Sequence, residues 1–309
     1  MVITVTLNPA MDKTLNIDDF SLGLVNRVNK LRYDIGGKGI NVSKVLKNFD
    51  IDSKCTGFLG GMWLDSFDKE LKQRDIQNYF VEIKSHTRTN TKVVDDKNKI
   101  YTDINEAGPI ITEEELQRFI SRFESLCSDG DIVVLSGGVG PSISKDIYRK
   151  LIKIAKQKGA FVILDAEGEL LSEGLKENPD IIKPNETEFE ILLNKDLETE
   201  EDIIIEAKNL VKKGIKTVLI SLGEKGALYV TEDEVIIGRG LKVPVKSTVG
   251  AGDSMVAALV YSKINNFSSE ETLKFAIACG GATVTLEGTE ACTLNQVEEL
   301  LPKVKTRIK

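Results

Sequence analysis

The sequence predicts an α/β protein with a mostly parallel central sheet, helices on both of its faces, and a small second sheet attached to it. Short β-branched runs alternate with amphipathic helical segments along most of the chain. Two polar, β-prone stretches, 14–34 and 87–103, break that rhythm. The chain has 309 residues, 41% of them hydrophobic. That suffices for a sizeable core and rules out disorder as the main state.

In chain order, Val2 to Leu7 alternates apolar residues with Thr, as a strand does. Val42, Val45, Leu46 and Phe49 fall on one face of a helix over 41–49. Residues 91–94 and 99–102 read as a hairpin around Asp95-Asp-Lys-Asn98. We read the stretches 14–34 and 87–103 as one small sheet; two surface hairpins are the plainer alternative. Thr112 opens a helix over 113–127, and 131–135 (DIVVL) is a strand. A helix over 145–158 ends at Gly159 and is followed by the strand 161–164 (FVIL). A short strand at 181–183 leads into a helix over 186–193. A helix over 201–213 closes at Gly214 before the strand 217–221. Residues 227–230 (ALYV) read as a following strand, and helices over 252–264, 269–286 and 294–300 complete the chain.

Composition excludes several function classes. Lys plus Arg is 41 against 48 Asp plus Glu, a net charge of −7. Neither nucleic acid nor an anionic membrane is an expected partner. No run approaches the length of a membrane span, and the amino terminus has no signal-peptide pattern. The four cysteines (55, 127, 279, 292) are far apart, which suggests free thiols in a reducing cytoplasm. His86 is the only histidine, so His-rich metal sites are out and a catalytic base is expected among the carboxylates. Neither a P-loop nor a complete dinucleotide fingerprint occurs.

Six sites can carry chemistry. In Ser247-Thr-Val-Gly-Ala-Gly-Asp253, Gly250 and Gly252 let the backbone approach a ligand, and the next helix would offer free amides to an anion. Asp253 is then either a catalytic carboxylate or an ordinary helix cap. In Gly36-Gly-Lys-Gly-Ile-Asn41, Lys38 offers a charge and Asn41 a two-way hydrogen-bonder for a polyhydroxyl ligand. A glycine-rich turn with a solvated lysine is the alternative. Lys183-Pro-Asn-Glu-Thr-Glu188 puts Asn185 and Glu188 on one helix face, as metal or phosphate ligands or as a capping box. Ser221-Leu-Gly-Glu-Lys-Gly226 ends a strand, as a nucleotide-binding turn or a plain strand-turn-strand. Asp12 follows the first strand, also at a carboxyl edge. Arg88 and Lys92 could neutralise a phosphate or simply decorate a hairpin.

The segments LNPAMD (7–12), GGKGIN (36–41), SGGV (136–139), KPNETE (183–188), SLGEKGA (221–227) and STVGAGDSMVA (247–257) occur in an order that resembles the ribokinase-like (phosphofructokinase B) sugar kinases over nearly the whole chain. VNRV (25–28), TRTNTKV (87–93), INEAGP (104–109) and EGTEACT (287–293) most resemble the family's fructose-1-phosphate kinases, with tagatose-6-phosphate kinases as the nearest rival. Two departures stand out. The usual SGSLPPG reads Ser136-Gly-Gly-Val-Gly-Pro141, and Ala258 replaces a usual Gly in the GAGD helix.

The resemblance implies a ribokinase-like three-layer α/β/α fold in one domain over 1–309, with lid segments at about 13–34 and 87–104. It implies ATP-dependent phosphorylation of a ketohexose phosphate with Mg²⁺ as cofactor. Asp253 would be the base, with the low pKa of a carboxylate at a helix amino end. The amides of Gly250, Ala251 and Gly252 would form the anion hole. Asp12, Gly37, Lys38, Asn41, Ser136 and Gly137 would meet the sugar, and Arg88 its phosphate, with Arg27 as a second basic candidate. Lys183, Asn185, Ser221, Gly223 and Gly226, together with Gly250 and Gly252, would line the nucleotide side. Asn185 and Glu188 would position Mg²⁺ through water. The lid would exclude water and join two copies as a homodimer. A non-catalytic sugar-phosphate sensor with the same fold is the alternative from a different class.

Overall fold

The computed structural model describes residues 1–309. In chain order the elements are β1 (Val2–Thr6), β2 (Ala10–Ile17), β3 (Lys30–Gly36), α1 (Lys38–Asn48), β4 (Ser53–Gly60), α2 (Leu64–Gln73), β5 (Gln77–Asn78), β6 (Val81–Ile83), β7 (Arg88–Asp95) and β8 (Ile100–Asn105). Then come α3 (Glu113–Leu126), β9 (Ile132–Ser136), α4 (Ile147–Gln157), β10 (Phe161–Asp165), α5 (Gly168–Leu175), β11 (Ile181–Ile182), α6 (Glu186–Leu193), α7 (Glu200–Lys212) and β12 (Thr217–Ser221). The last part holds β13 (Gly226–Val230), β14 (Val235–Arg239), α8 (Ala251–Ile264), α9 (Ser269–Thr283), α10 (Leu294–Leu300) and β15 (Thr306–Ile308).

The large sheet runs β15-β14-β13-β12-β11-β10-β9-β1-β4-β5, with β6 also paired to β4. It is parallel from β12 to β5 and antiparallel from β12 to β15. Alternation divides its side chains between two cores. Val133, Leu135, Val162 and Leu164 pack with Phe119, Tyr148 and Leu151 of α3 and α4. Ile132, Val134 and Ile163 face Val42 and Leu46 of α1, Val256 and Leu259 of α8, and Phe275 of α9. The result is three layers, α/β/α. Five helices start with reciprocal capping boxes: α3 at Thr112, α6 at Asn185, α7 at Thr199, α9 at Ser268 and α10 at Thr293.

The second sheet has the order β3-β2-β7-β8. The two-hairpin alternative fails because β2 and β7 pair in parallel along their whole length, from Ala10↔Arg88 to Ile17↔Asp95. The lid strands also reach further than 13–34 and 87–104, since pairing with β3 continues down to Ala10↔Gly36. Asp12 is therefore a lid-strand residue and not the tail of the first strand. A third core, including Met11, Ile35, Ile40, Phe67 and Leu71, ties the lid's base to α1 and α2.

Three other boundaries differ. The first helix starts at Lys38 because Gly37, at φ 126, serves as its N-cap, so Lys38 and Gly39 are helical and not loop. Helix α9 ends at Thr283, three residues short of the expected 286, where the backbone tightens into successive turns. Residues 53–83, not assigned from the sequence above, carry β4, α2, β5 and β6; Leu64, Phe67 and Leu71 show the helical spacing of α2.

Candidate active site

The parallel strands end along one edge, and each contributes a polar residue there: Asn8 just beyond β1, Ser136 on β9, Asp165 on β10, Lys183 just beyond β11 and Ser221 on β12. This is where ligands of open α/β sheets bind. Ser136 and Asp165 are direct neighbours in the β9–β10 register. Helices α1 and α8 bring their amino ends to the same edge.

Helix α8 begins at Gly250, whose φ of 82 lies in the left-handed region, and no side chain caps it. Its first-turn amides therefore remain available to an anion, apart from that of Ala251, which makes a long 3.5 Å bond to the Thr248 carbonyl. Asp253 sits in that turn, 6% exposed. It is not a cap. Its Oδ2 accepts a 2.8 Å hydrogen bond from Asn41 Nδ2 of α1.

The expected low pKa of Asp253 is wrong. Burial, and then the nearby Asp165 carboxylate, push it up to about 6, against the opposing pull of Lys38 and Asn41. Desolvation at a closed helix end outweighs the helix dipole. A carboxylate poised near 6 is a stronger base than an exposed one and is still mostly ionised at neutral pH.

Asp165 is 1% exposed. Its oxygens lie 3.1 Å from Lys183 Nζ and 3.5 Å from Lys38 Nζ. Burial alone would raise its pKa, but the two lysines hold it below the usual carboxylate range, and Asp165 in turn raises that of Lys38. Lys183 Nζ also lies beside Gly252, 3.4 Å from where a Cβ would stand.

On the lid side, Asp12 Oδ1 accepts from Asn90 Nδ2 at 3.2 Å, and burial raises the pKa of Asp12. A Cβ on Gly36 would collide with the Asp12 carboxylate, so any larger residue there would displace that side chain. The side-chain oxygens of Asn41, Asn90 and Ser136 are buried without any hydrogen-bond partner. Orphaned buried acceptors and hydroxyls are costly; here Asn41 is bonded to Asp253, Ser136 neighbours Asp165, and Asn90 is bonded to Asp12. The polar lid face, with Thr14, Arg32 and Lys92, overhangs Lys246, Ser247 and Gly288 across a cavity of about 660 Å³.

The remaining sequence candidates fall as follows. Gly37 caps α1. Gly137, at φ 93, packs against the Lys38 side chain, and its turn is pinned by Tyr148 Oη donating to its carbonyl at 2.9 Å. Arg88 is half-buried; its Nε and Nη2 donate to the Asn8 carbonyl and its Nη1 to that of Glu106. Arg27 is exposed in the connection between β2 and β3, at the lid's far end. Five residues of strand, about 17 Å, separate Asp12 from Ile17, so one chain cannot bring Arg27 to the Asp12 cluster.

Asn185 and Glu188 form the capping box of α6, at 2.8 and 2.9 Å. Ser221 to Gly226 forms a strand-turn-strand, in which Gly223 is exposed and open while Gly226 is buried against the backbone of Gly238 and Gly240. Gly226 thus serves hairpin packing and not a ligand surface. Sequence reasoning missed Asn90 and, above all, Asp165. Position was the available signal for Asp165, since it follows FVIL at the strand end that also holds the other candidates.

An α/β sheet whose carboxyl edge joins an uncapped helix end to a buried carboxylate and two lysines is built as the site of an enzyme that handles phosphoryl groups. The model of the pfkB family carbohydrate kinases matches residues 5–296, and the chain belongs to that family. It is 36% identical over 305 residues to the 1-phosphofructokinase of Bacillus subtilis (strain 168), covering 99% of each chain. It is 35% identical over 303 residues to that of Escherichia coli (strain K12), covering 98% of this chain and 97% of the relative. The structure of phosphofructokinase-2 from Escherichia coli in complex with substrates and products superposes with a TM-score of 0.93 at 29% identity, covering 98% of both chains.

Proposed function

We propose that the protein transfers the γ-phosphoryl group of ATP to fructose 1-phosphate, giving fructose 1,6-bisphosphate. The observation that carries this reading is the buried pair Asn41–Asp253 at the uncapped amino end of α8. Full-length similarity to 1-phosphofructokinases supports the choice of acceptor.

In this reading Asp253 takes the proton of the attacking hydroxyl, and Asn41 aims its carboxylate. The amides of Gly250, Ala251 and Gly252 receive the charge that builds on the transferred group. The orphaned oxygens of Asn41, Asn90 and Ser136, with Asp12, pair with sugar hydroxyls. Arg88 keeps two guanidinium hydrogens free beyond its three carbonyl bonds and supplies them to the acceptor phosphate. Lys183 and the exposed Gly223 turn lie on the nucleotide side. The lid keeps water from competing with the acceptor.

The residues present fit a magnesium ion carried by the nucleotide. No group of three His, Cys, Asp or Glu side chains could hold a metal alone. Glu188, however, uses only one carboxylate oxygen in its capping box, which leaves the other to hold the ion's water shell. When bound, the ion neutralises charge on the nucleotide phosphates.

We further infer one domain over 1–309 that assembles as a homodimer through the lid and works in the cytoplasm. Leu31, Tyr33, Ile100 and Ile104 share the lid face opposite Asp12 and are exposed. The four cysteines are buried free thiols, and no helix is long and apolar enough to cross a membrane.

The reaction is tested by coupled ADP-release assays with fructose 1-phosphate, tagatose 6-phosphate and fructose 6-phosphate. A kcat/KM highest for fructose 1-phosphate is expected. Preference for either 6-phosphate would replace the acceptor and keep the reaction class.

A further inference from the structure

We propose that Asp165 is a positioning residue of the transfer site: its buried carboxylate fixes the ammonium groups of Lys38 and Lys183 beside the Gly250–Gly252 turn, where both face the migrating phosphoryl group. The inference rests on the phosphoryl-transfer reading above and adds a residue to it.

Geometry carries the argument. The two lysines reach Asp165 from different parts of the fold. Lys38 opens α1, the helix that also supplies Asn41, whereas Lys183 follows β11 and touches the start of α8 at Gly252. Asp165 gives one oxygen to each, at 3.5 and 3.1 Å. Neither oxygen has a well-formed hydrogen bond, so the carboxylate's burial is offset only by these two cations.

A counter-ion for Lys183 alone would be a purely structural device, since the Lys183 side chain is 5% exposed. Lys38 does not need one. Its side chain is 38% exposed and solvent could hydrate it, yet it is drawn inward to the second oxygen. Asp165 therefore restrains a cation that would otherwise swing free. Asp253, Asp165, Lys38 and Lys183 form a set of two negative and two positive charges, and Asn41 is the remaining polar group on Asp253. Asp165 is shared between the two ammonium groups, so neither is fully neutralised by it; Lys38 is partly exposed on its other side, and Lys183 lies buried against the Gly252 backbone at the start of α8.

The experiment uses the full-length chain with Asp165→Asn and Asp165→Glu. Asp165→Asn is expected to lower kcat about a hundredfold, the usual cost of displacing a charged group by about 1 Å. It should raise KM for ATP and move the acid limb of the pH profile to lower pH, because a negative charge beside Asp253 has gone. Asp165→Glu keeps the charge and should restore the wild-type acid limb. A folded Asp165→Asn enzyme with unchanged kcat and an unmoved acid limb would overturn the proposal.

If Asp165→Asn yields no soluble protein, Lys38→Met decides, since it leaves the Asp165–Lys183 pair intact. A kcat within about twofold of wild type in that variant would also overturn the proposal. Titration calorimetry with ATP separates this inference from the reaction itself. A wild-type chain that phosphorylates no acceptor refutes the reaction. The role of Asp165 then stands if Asp165→Asn, or Lys38→Met where that variant is insoluble, weakens ATP binding about tenfold or more, and falls if the affinity is unchanged.

Discussion

Asp253 is held at a cost to the fold. Its folded pKa of about 6 lies above the 3.8 of a free aspartate, so ionisation opposes folding. The penalty is absent below the unfolded value, grows between 3.8 and 6, and is fully present at neutral pH. Asp253→Asn is therefore expected to raise the melting temperature at pH 8 while lowering kcat by about 10³-fold, the scale of a lost general base. KM for both substrates should stay within a few-fold. Near-normal turnover in this variant would remove Asp253 as the base, and no turnover in the wild type would favour the sensor reading. If ionised Asp253 is the base, as proposed, kcat/KM should fall as pH drops through about 6. Asn41→Leu removes the donor that favours the charged form, so its acid limb should move to higher pH than wild type. A pH–rate profile for each variant checks both statements.

Among the elements, the lid depends on one residue at its tip. Asp95 ends β7 and accepts hydrogen bonds from the backbone amides of Asp19, Phe20, Lys97 and Asn98. These bonds tie the segment after β2 to the hairpin turn after β7, and they hold the Asp95 carboxyl well below the usual range. A depressed folded pKa stabilises above the unfolded value and is lost as pH falls through the folded one. Lid order should thus survive to about pH 4 and weaken below it. Asp95→Ala should speed proteolytic cleavage within 18–29 and raise KM for the acceptor several-fold, leaving the melting of the main body nearly unchanged. Limited proteolysis with mass spectrometry reads the first effect, and the coupled assay the second.

At the scale of the molecule, the lid's two faces differ in kind. Asp12, Thr14, Arg32, Asn90 and Lys92 share the polar face, and Arg32 pairs with Asp34 at 2.7 Å and reaches Glu290, before α10, at 3.8 Å. The other face leaves Leu31, Tyr33, Ile100 and Ile104 in water, and Leu24 and Val25 are exposed at the tip. Exposed apolar side chains gathered on one face, though Lys13, Thr91 and Thr102 lie among them, mark an interaction surface. Light scattering should give a dimer for the wild type and a monomer for Leu31→Asp/Ile104→Asp. Loss of the second copy should raise KM for the acceptor, since the lid would lose its outer support. A wild type that is monomeric at micromolar concentration would refute the dimer.

How much of this was legible in the sequence differs from residue to residue. Strand 217–221 and helices 186–193 and 294–300 stand where periodicity and capping residues put them, because those signals act within a few residues of chain. Lys38, Asn41 and Asp253 could be named as candidates because glycines beside them announce close backbone approach, and Asp12 because it follows the first strand. The single lid sheet could not be decided locally, since β2 and β7 pair across some eighty residues. Nor could the roles of Asn185 and Glu188, where one spacing serves a cap and a ligand equally. The chain by itself determined which side chains are present and where helices with a capping box, such as those at 113, 186, 269 and 294, start. Only the tertiary structure decided that Asp165 reaches two lysines and that the Asp253 carboxyl is buried, pushed up to about 6, and caps nothing. Proton affinity depends on burial and on charges brought from distant segments, and neither exists until the sheet has closed.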